Sequence, residues 1–109
     1  MVESISPREA LGLVSNQFAV IVDVREKDEI AAGMAGPAQW IANTKIEAND
    51  QEWKDFVAKL PKNKKIICYC RSGARSGRAA AKLAAMGFKA ANMGGFEGWV
   101  SENLPVKKP

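Results

Sequence analysis

Apolar residues in this chain fall into two kinds of block. Phe18-Ala19-Val20-Ile21-Val22-Asp23-Val24 and Lys65-Ile66-Ile67-Cys68-Tyr69 are short, nearly continuous and rich in β-branched side chains, which predicts buried strands. Gln39–Ala42 and Ala90–Met93 read as two shorter strands. Between these runs the apolar residues recur at helical spacing. Ser6-Pro7-Arg8-Glu9 forms a capping box with proline at the first helical position, and Leu11, Val14 and Phe18 line one face of a helix reaching about Asn16. Lys27 to Ala32 predicts a short helix closed by Gly33. A further helix, capped by Asn49 or Asp50 with Glu52 placed for a capping box, runs through Lys59 and presents Trp53, Phe56, Val57 and Leu60. The alanine-rich stretch after residue 75 offers Ala79, Ala80, Leu83, Ala84 and Phe88 as a facing set, with Gly87 as its stop. Phe96 to Ser101 predicts a last helical turn carrying Trp99. Met34 to Ala48 has no clear period beyond the turn at Gly36-Pro37. Strands alternating with helices predict an α/β fold on a mainly parallel sheet. Such sheets bind ligands at the carboxyl ends of their strands.

Composition narrows the function. At 109 residues, 47% apolar and 26% charged, the chain builds one soluble domain (1–109) with a core over about 5–101 and a frayed tail at 102–109. No apolar stretch approaches a membrane span, and the N-terminus lacks the pattern of a secretory signal. A cytoplasmic protein is therefore expected if the chain is complete; a mature exported form with a replaced start would look the same. The net charge of +4 comes from scattered Lys and Arg without interleaved aromatics, which argues against nucleic-acid binding. There is no histidine, so Ser–His–Asp and Cys–His catalysis and histidine-ligated metals are excluded. Two cysteines alone make neither a structural zinc site nor a disulfide framework. No metal or cofactor is expected.

The chemistry concentrates in Cys70-Arg71-Ser72-Gly73-Ala74-Arg75. A buried strand delivers Cys70 into a turn of small and basic residues, and a helix starting near Ser76 follows. Gly73 permits unusual backbone angles, so the amides of residues 71 to 75 can converge on the sulfur as an anion nest. The helix dipole and the guanidinium groups of Arg71 and Arg75 add positive charge, which lowers a thiol pKa and suits an anionic substrate. A persulfide would be held by the same amides. Cys68 lies inside the apolar strand and reads as core packing, with a resolving thiol as the alternative. Trp40, Trp53 and Trp99 read as core or rim residues.

Four segments resemble the single-domain rhodanese family: Ile21-Val22-Asp23-Val24-Arg25-Glu26, the Cys70–Arg75 loop with Ser76-Gly77-Arg78-Ala79-Ala80, Gly87-Phe88-Lys89, and Gly94-Gly95-Phe96-Glu97-Gly98-Trp99. The resemblance implies a central, mainly parallel five-stranded sheet with helices on both faces. It also implies sulfur transfer: Cys70 takes the outer sulfur of thiosulfate or a related anionic donor as a persulfide, sulfite leaves, and cyanide, a thiol or a protein partner accepts the sulfur. The amides of residues 71 to 75 would cradle that sulfur, and Arg71 and Arg75 would receive the sulfonate oxygens. Asp23 and Arg25 would form a charge pair supporting the site, or else a surface salt bridge. One segment departs from the family: Gly33-Met34-Ala35-Gly36-Pro37-Ala38 lacks the histidine of the usual Gly-His-Ile-x-Gly-Ala.

Two other classes compete. A cysteine phosphatase, or an arsenate reductase of similar design, needs five residues between Cys and Arg. Here four lie between Cys70 and Arg75, and Ser76 falls where that arginine would be. A non-catalytic regulatory module or a sulfur carrier is the other, and the presence of Cys70 argues against a dead module.

Overall fold

The computed structural model describes residues 2–109. In chain order the elements are β1 (Glu3–Ser4), α1 (Pro7–Ser15), β2 (Ala19–Asp23), α2 (Lys27–Ile30), β3 (Met34–Ala35), β4 (Ala38–Trp40), α3 (Asn43–Ala48), α4 (Gln51–Ala58), β5 (Lys65–Cys70), α5 (Ala74–Ala85), β6 (Ala90–Gly95), α6 (Phe96–Ser101) and β7 (Val106–Lys107). Five strands form one sheet in the order β1-β6-β5-β2-β4, and every pairing within it is parallel. The continuous apolar runs predicted as buried strands become β2 and β5, two of the three inner strands, covered on both faces.

Side chains of β5 alternate between two cores, as strand geometry requires. Ile67 and Tyr69 point into one, with Ile21, Ala10, Met93 and Trp99, which α1 and α6 cover. Ile66, Cys68 and Cys70 point into the other, with Val22, Ile46, Trp53 and Leu83, which α3, α4 and α5 cover. Helices thus flank the sheet on both faces. No helix among the described residues is long and apolar enough to cross a membrane.

The capping signals act locally. The Ser6 side chain accepts a hydrogen bond from the Glu9 amide at 3.2 Å, and Pro7 is the first helical residue. Asp50, not Asn49, caps α4, accepting from the Trp53 amide at 3.2 Å. Glu52 therefore sits one position short of a capping box. Asn49 instead closes α3 in the left-handed region, at φ 50°.

Several sequence expectations are corrected. Phe18 leaves the α1 face and is 66% exposed, because Gln17 turns the chain at φ 65° before β2 begins. The fourth strand is Ala38–Trp40 and not 39–42; Ile41 and Ala42 lead into α3, a helix with a single large apolar residue, Ile46, and so no readable period. The helix after the cysteine loop starts at Ala74, two residues early, and its buried stripe is Ser76, Ala79, Ala80 and Leu83, with Ala84 exposed. β1 was not foreseen, since two exposed polar residues carry no strand pattern. The tail is docked rather than frayed. Leu104 is buried, β7 pairs antiparallel with β3, and the Pro105 carbonyl accepts from the Gly36 amide (2.8 Å) and the Trp99 indole (2.7 Å).

Candidate active site

Cys70 is the last residue of β5, so the parallel sheet delivers its sulfur at the carboxyl edge, midway across the strand order. The chain then turns through Gly73, which adopts φ 102° and caps α5. That turn brings the Gly73 N–H to 3.0 Å from Cys70 Sγ, and the Ser76 hydroxyl lies 3.3 Å from it. Burial acts to raise the Cys70 pKa. The Ser76 hydroxyl and the amides of Ser76, Gly73 and Ser72 outweigh it, and the thiol is held below its ordinary value. The neighbouring thiol behaves oppositely. Cys68 is buried in the strand with no such donors, and desolvation, with the adjacent Cys70, pushes it up to about 12. Both cysteines are free. Cys70 is itself buried, whereas Arg71, Ser72 and Ala74 of the loop are exposed.

The two loop arginines have different surroundings. Arg71 is exposed and makes no ion pair among the described residues. Arg75 does not stand open to an anion: its two terminal nitrogens donate to Glu29 Oε1 at 2.6 Å and Oε2 at 2.8 Å. This bidentate pair raises the Arg75 pKa. It also holds the Glu29 carboxyl down at about 2, against the opposing effect of burial and with help from the Glu26 amide.

Asp23 and Arg25 are not a surface salt bridge. Asp23 is 0% and Arg25 6% exposed. The Arg25 guanidinium contacts both Asp23 oxygens, donates to the Gly33 carbonyl at 2.8 Å and lies 4.3 Å from the centre of the Phe96 ring. Burial opposes the Arg25 charge, and Asp23 more than offsets that. Arg25 also reaches the Glu29 carbonyl at 3.4 Å, so the buried pair braces the helix whose carboxylate holds Arg75. Trp53 and Trp99 are core residues; Trp40, 37% exposed, sits on the rim with its indole donating to the Arg25 carbonyl.

Three further residues shape the loop. Asn92 of β6 donates from Nδ2 to the Gly73 carbonyl at 2.9 Å, while its Oδ1 accepts from the Gly94 amide at 3.0 Å and from the Ser76 hydroxyl at 2.7 Å. Gly95 passes so close to the loop that a Cβ there would collide with the Arg71 carbonyl oxygen. Ser76 was visible only as a helix residue. Asn92, a polar side chain inside an otherwise apolar or glycine strand, was the one sequence signal for the contact between β6 and the loop. No group of His, Cys, Asp and Glu among the described residues could hold a metal ion.

A cysteine at the carboxyl end of the central strand, its sulfur accepting the Gly73 amide, on a five-stranded parallel sheet with helices on both faces, defines an α/β domain with one candidate site at that strand end. The comparisons with known proteins agree with that class. The family model for the rhodanese-like domain matches residues 6–102, and the chain belongs to that family. A protein named sulfurtransferase from Allochromatium vinosum is 33% identical over 109 residues, covering 98% of this chain and 92% of its own. The thiosulfate sulfurtransferase GlpE of Coxiella burnetii is 32% identical over 101 residues, covering 91% and 88%. Among solved structures, a rhodanese-related protein from Thermoplasma volcanium superposes with a TM-score of 0.78 at 25% identity, covering 96% of this chain and 97% of that one.

Proposed function

We propose that this protein transfers a sulfane sulfur from thiosulfate, or a similar anionic donor, to a thiol or cyanide through a persulfide on Cys70. The observation that carries this reading is the position of Cys70 Sγ at the carboxyl end of the central strand, where it accepts the Gly73 amide at 3.0 Å beside the Ser76 hydroxyl at 3.3 Å. In the first step the Cys70 thiolate attacks the outer sulfur of thiosulfate, the S–S bond of the donor breaks, and its electron pair leaves with sulfite. In the second step the acceptor attacks the outer persulfide sulfur, and the electron pair of that S–S bond returns to Cys70 as thiolate. The loop's own donors favour the thiolate, in place of the imidazole base that the chain lacks. Arg71, exposed and unpaired, receives the donor's sulfonate oxygens. Arg75 is taken up by Glu29 and serves to hold the start of α5. Asp23 and Arg25 support the site at one remove.

The test is intact mass spectrometry after incubation with thiosulfate. One added sulfur that cyanide removes is expected for the wild type and not for Cys70→Ser. An unchanged wild-type mass, or the same gain in Cys70→Ser, would overturn the proposal. A parallel assay with a phosphate ester should show no turnover, which separates this reading from a phosphatase.

A further inference from the structure

The Ser76 hydroxyl has one hydrogen and two acceptors: Asn92 Oδ1 at 2.7 Å and Cys70 Sγ at 3.3 Å. It can satisfy only one at a time. The orientation of Asn92 is fixed by the backbone, since Nδ2 faces a carbonyl (Gly73) and Oδ1 faces an amide (Gly94). Oδ1 keeps the Gly94 donor even when the hydroxyl turns away. Ser76 is fully buried, so no water competes for the hydrogen. The glycines around it make the contact with β6 possible: a Cβ at Gly77 would press on Asn92 Nδ2 at 3.2 Å, and one at Gly73 would meet Gly94 at 3.3 Å.

We infer that Ser76 is a proton rotor set by Asn92: it points to Asn92 while Cys70 carries a proton or a second sulfur, and swings to Sγ when Cys70 is a thiolate. The consequence for turnover rests on the sulfur-transfer reading above. When the acceptor attacks the persulfide, the electron pair of the breaking S–S bond collects on Sγ. The hydroxyl then strengthens its bond to that atom as charge arrives, which is the condition for lowering a barrier rather than only binding a ground state. Ser76 is thus a catalytic donor to the leaving sulfur, and Asn92 a positioning residue that parks the hydrogen between turnovers.

The other ionisable groups around the sulfur are Cys68 on β5, Arg71 in the loop, and Arg75 on α5 paired with Glu29 of α2. The Asp23–Arg25 pair lies at the end of β2, and β6 contributes none. Farther along α5, Arg78 faces Glu47 and Lys82 donates to the Ile46 carbonyl of α3. Ser76→Ala leaves all of these in place and leaves no buried donor without a partner.

The experiment has two arms. In the first, the rate of Cys70 alkylation by iodoacetamide is followed against pH in the donor-free protein, with the site of modification mapped by mass. Ser76→Ala should move the profile about one pH unit alkaline, as expected for losing one hydrogen bond to a charged sulfur. Asn92→Ala, which frees the hydroxyl for the sulfur, should not move it alkaline. In the second arm the persulfide is preformed and its discharge by cyanide is timed. Ser76→Ala should discharge roughly tenfold more slowly, and its persulfide formation at alkaline pH should fall by less than its discharge. Ser76→Thr, which restores the hydroxyl, should recover the discharge rate. Superimposable alkylation profiles for wild type and Ser76→Ala would overturn the inference whatever the sulfur chemistry. So would equal slowing of formation and discharge with no recovery in the threonine variant. A wild type that alkylates as expected yet gains no sulfur from thiosulfate would count against the sulfur-transfer reading alone.

Discussion

Glu29→Gln tests the bond that holds the start of α5. The substitution keeps the shape of the side chain and removes its charge, leaving Arg75 without its bidentate partner. The Glu29 carboxyl is depressed from an ordinary 4.5 to about 2, first by the Arg75 guanidinium, against burial, and then by the Glu26 amide. At about 1.4 kcal/mol per tenfold change in proton affinity, that depression sets a ceiling of about 3 kcal/mol on the contribution of the charge. The two side chains are 23% and 22% exposed, and solvent screening lowers the expected loss to about 1 kcal/mol at neutral pH. The sign follows from linkage. A group with a lower pKa in the folded state stabilises the fold fully above its unfolded value, here 4.5, and loses that contribution as pH falls toward about 2. Urea unfolding of wild type and Glu29→Gln should therefore differ by about 1 kcal/mol near pH 7, and the gap should close as the pH is lowered through that window. Two stability curves that run parallel down to acid pH, or coincide throughout, would refute the assignment of the stabilisation to this carboxylate. A double-mutant cycle with Arg75→Gln should return most of the loss as coupling energy.

Other perturbations probe separate parts of the structure. Arg71→Ala should raise the thiosulfate KM about tenfold while stability changes by less than about 0.5 kcal/mol, measured by steady-state kinetics and urea unfolding. Cys68→Ala should cost about 1 kcal/mol by thermal or urea unfolding and still accept one sulfur at Cys70 by intact mass. Asp23→Asn leaves the Arg25 charge buried without its carboxylate, and a loss of about 3 kcal/mol or more is expected by urea unfolding. Ending the chain after Asn103 removes Leu104, the Pro105 carbonyl and β7, and should lower Tm by several degrees, roughly what a loss of 1–2 kcal/mol produces in a domain of this size.

The parts legible in the sequence were those that repeat a simple physical pattern. β2 and β5 are continuous apolar runs because they lie inside a parallel sheet, and α1 and α4 carry a cap followed by periodic apolar residues. The cysteine loop was legible because Arg, Ser and Gly after an apolar strand make no sense as core. What escaped has its cause in contacts distant along the chain. β1, β3 and β7 are two residues each, held by partners far away in sequence rather than by their own composition. The pairing of Arg75 was not legible because its partner, Glu29, lies 46 residues earlier. Asp23 and Arg25 sit two apart, which cannot by itself distinguish a buried pair from an exposed one; the Phe96 ring and the Gly33 carbonyl decide it. Ser76 and Asn92 are individually ordinary residues and acquire meaning only when β6 lies beside β5.

Cys68 stands opposite Asn92 in the centre of the sheet, with no exposed surface and a thiol pushed up to about 12. In a Cys70→Ser background it becomes the only thiol in the chain. A labelling reagent can then reach sulfur only when β5 parts from its neighbours or from the helices over it. The rate at which that single thiol is captured is a clock for opening of the sheet under native conditions. The clock needs no engineered probe. It can time how firmly Glu29, the docked tail and the buried charge pair hold the central strand closed, in the same molecule and without denaturant.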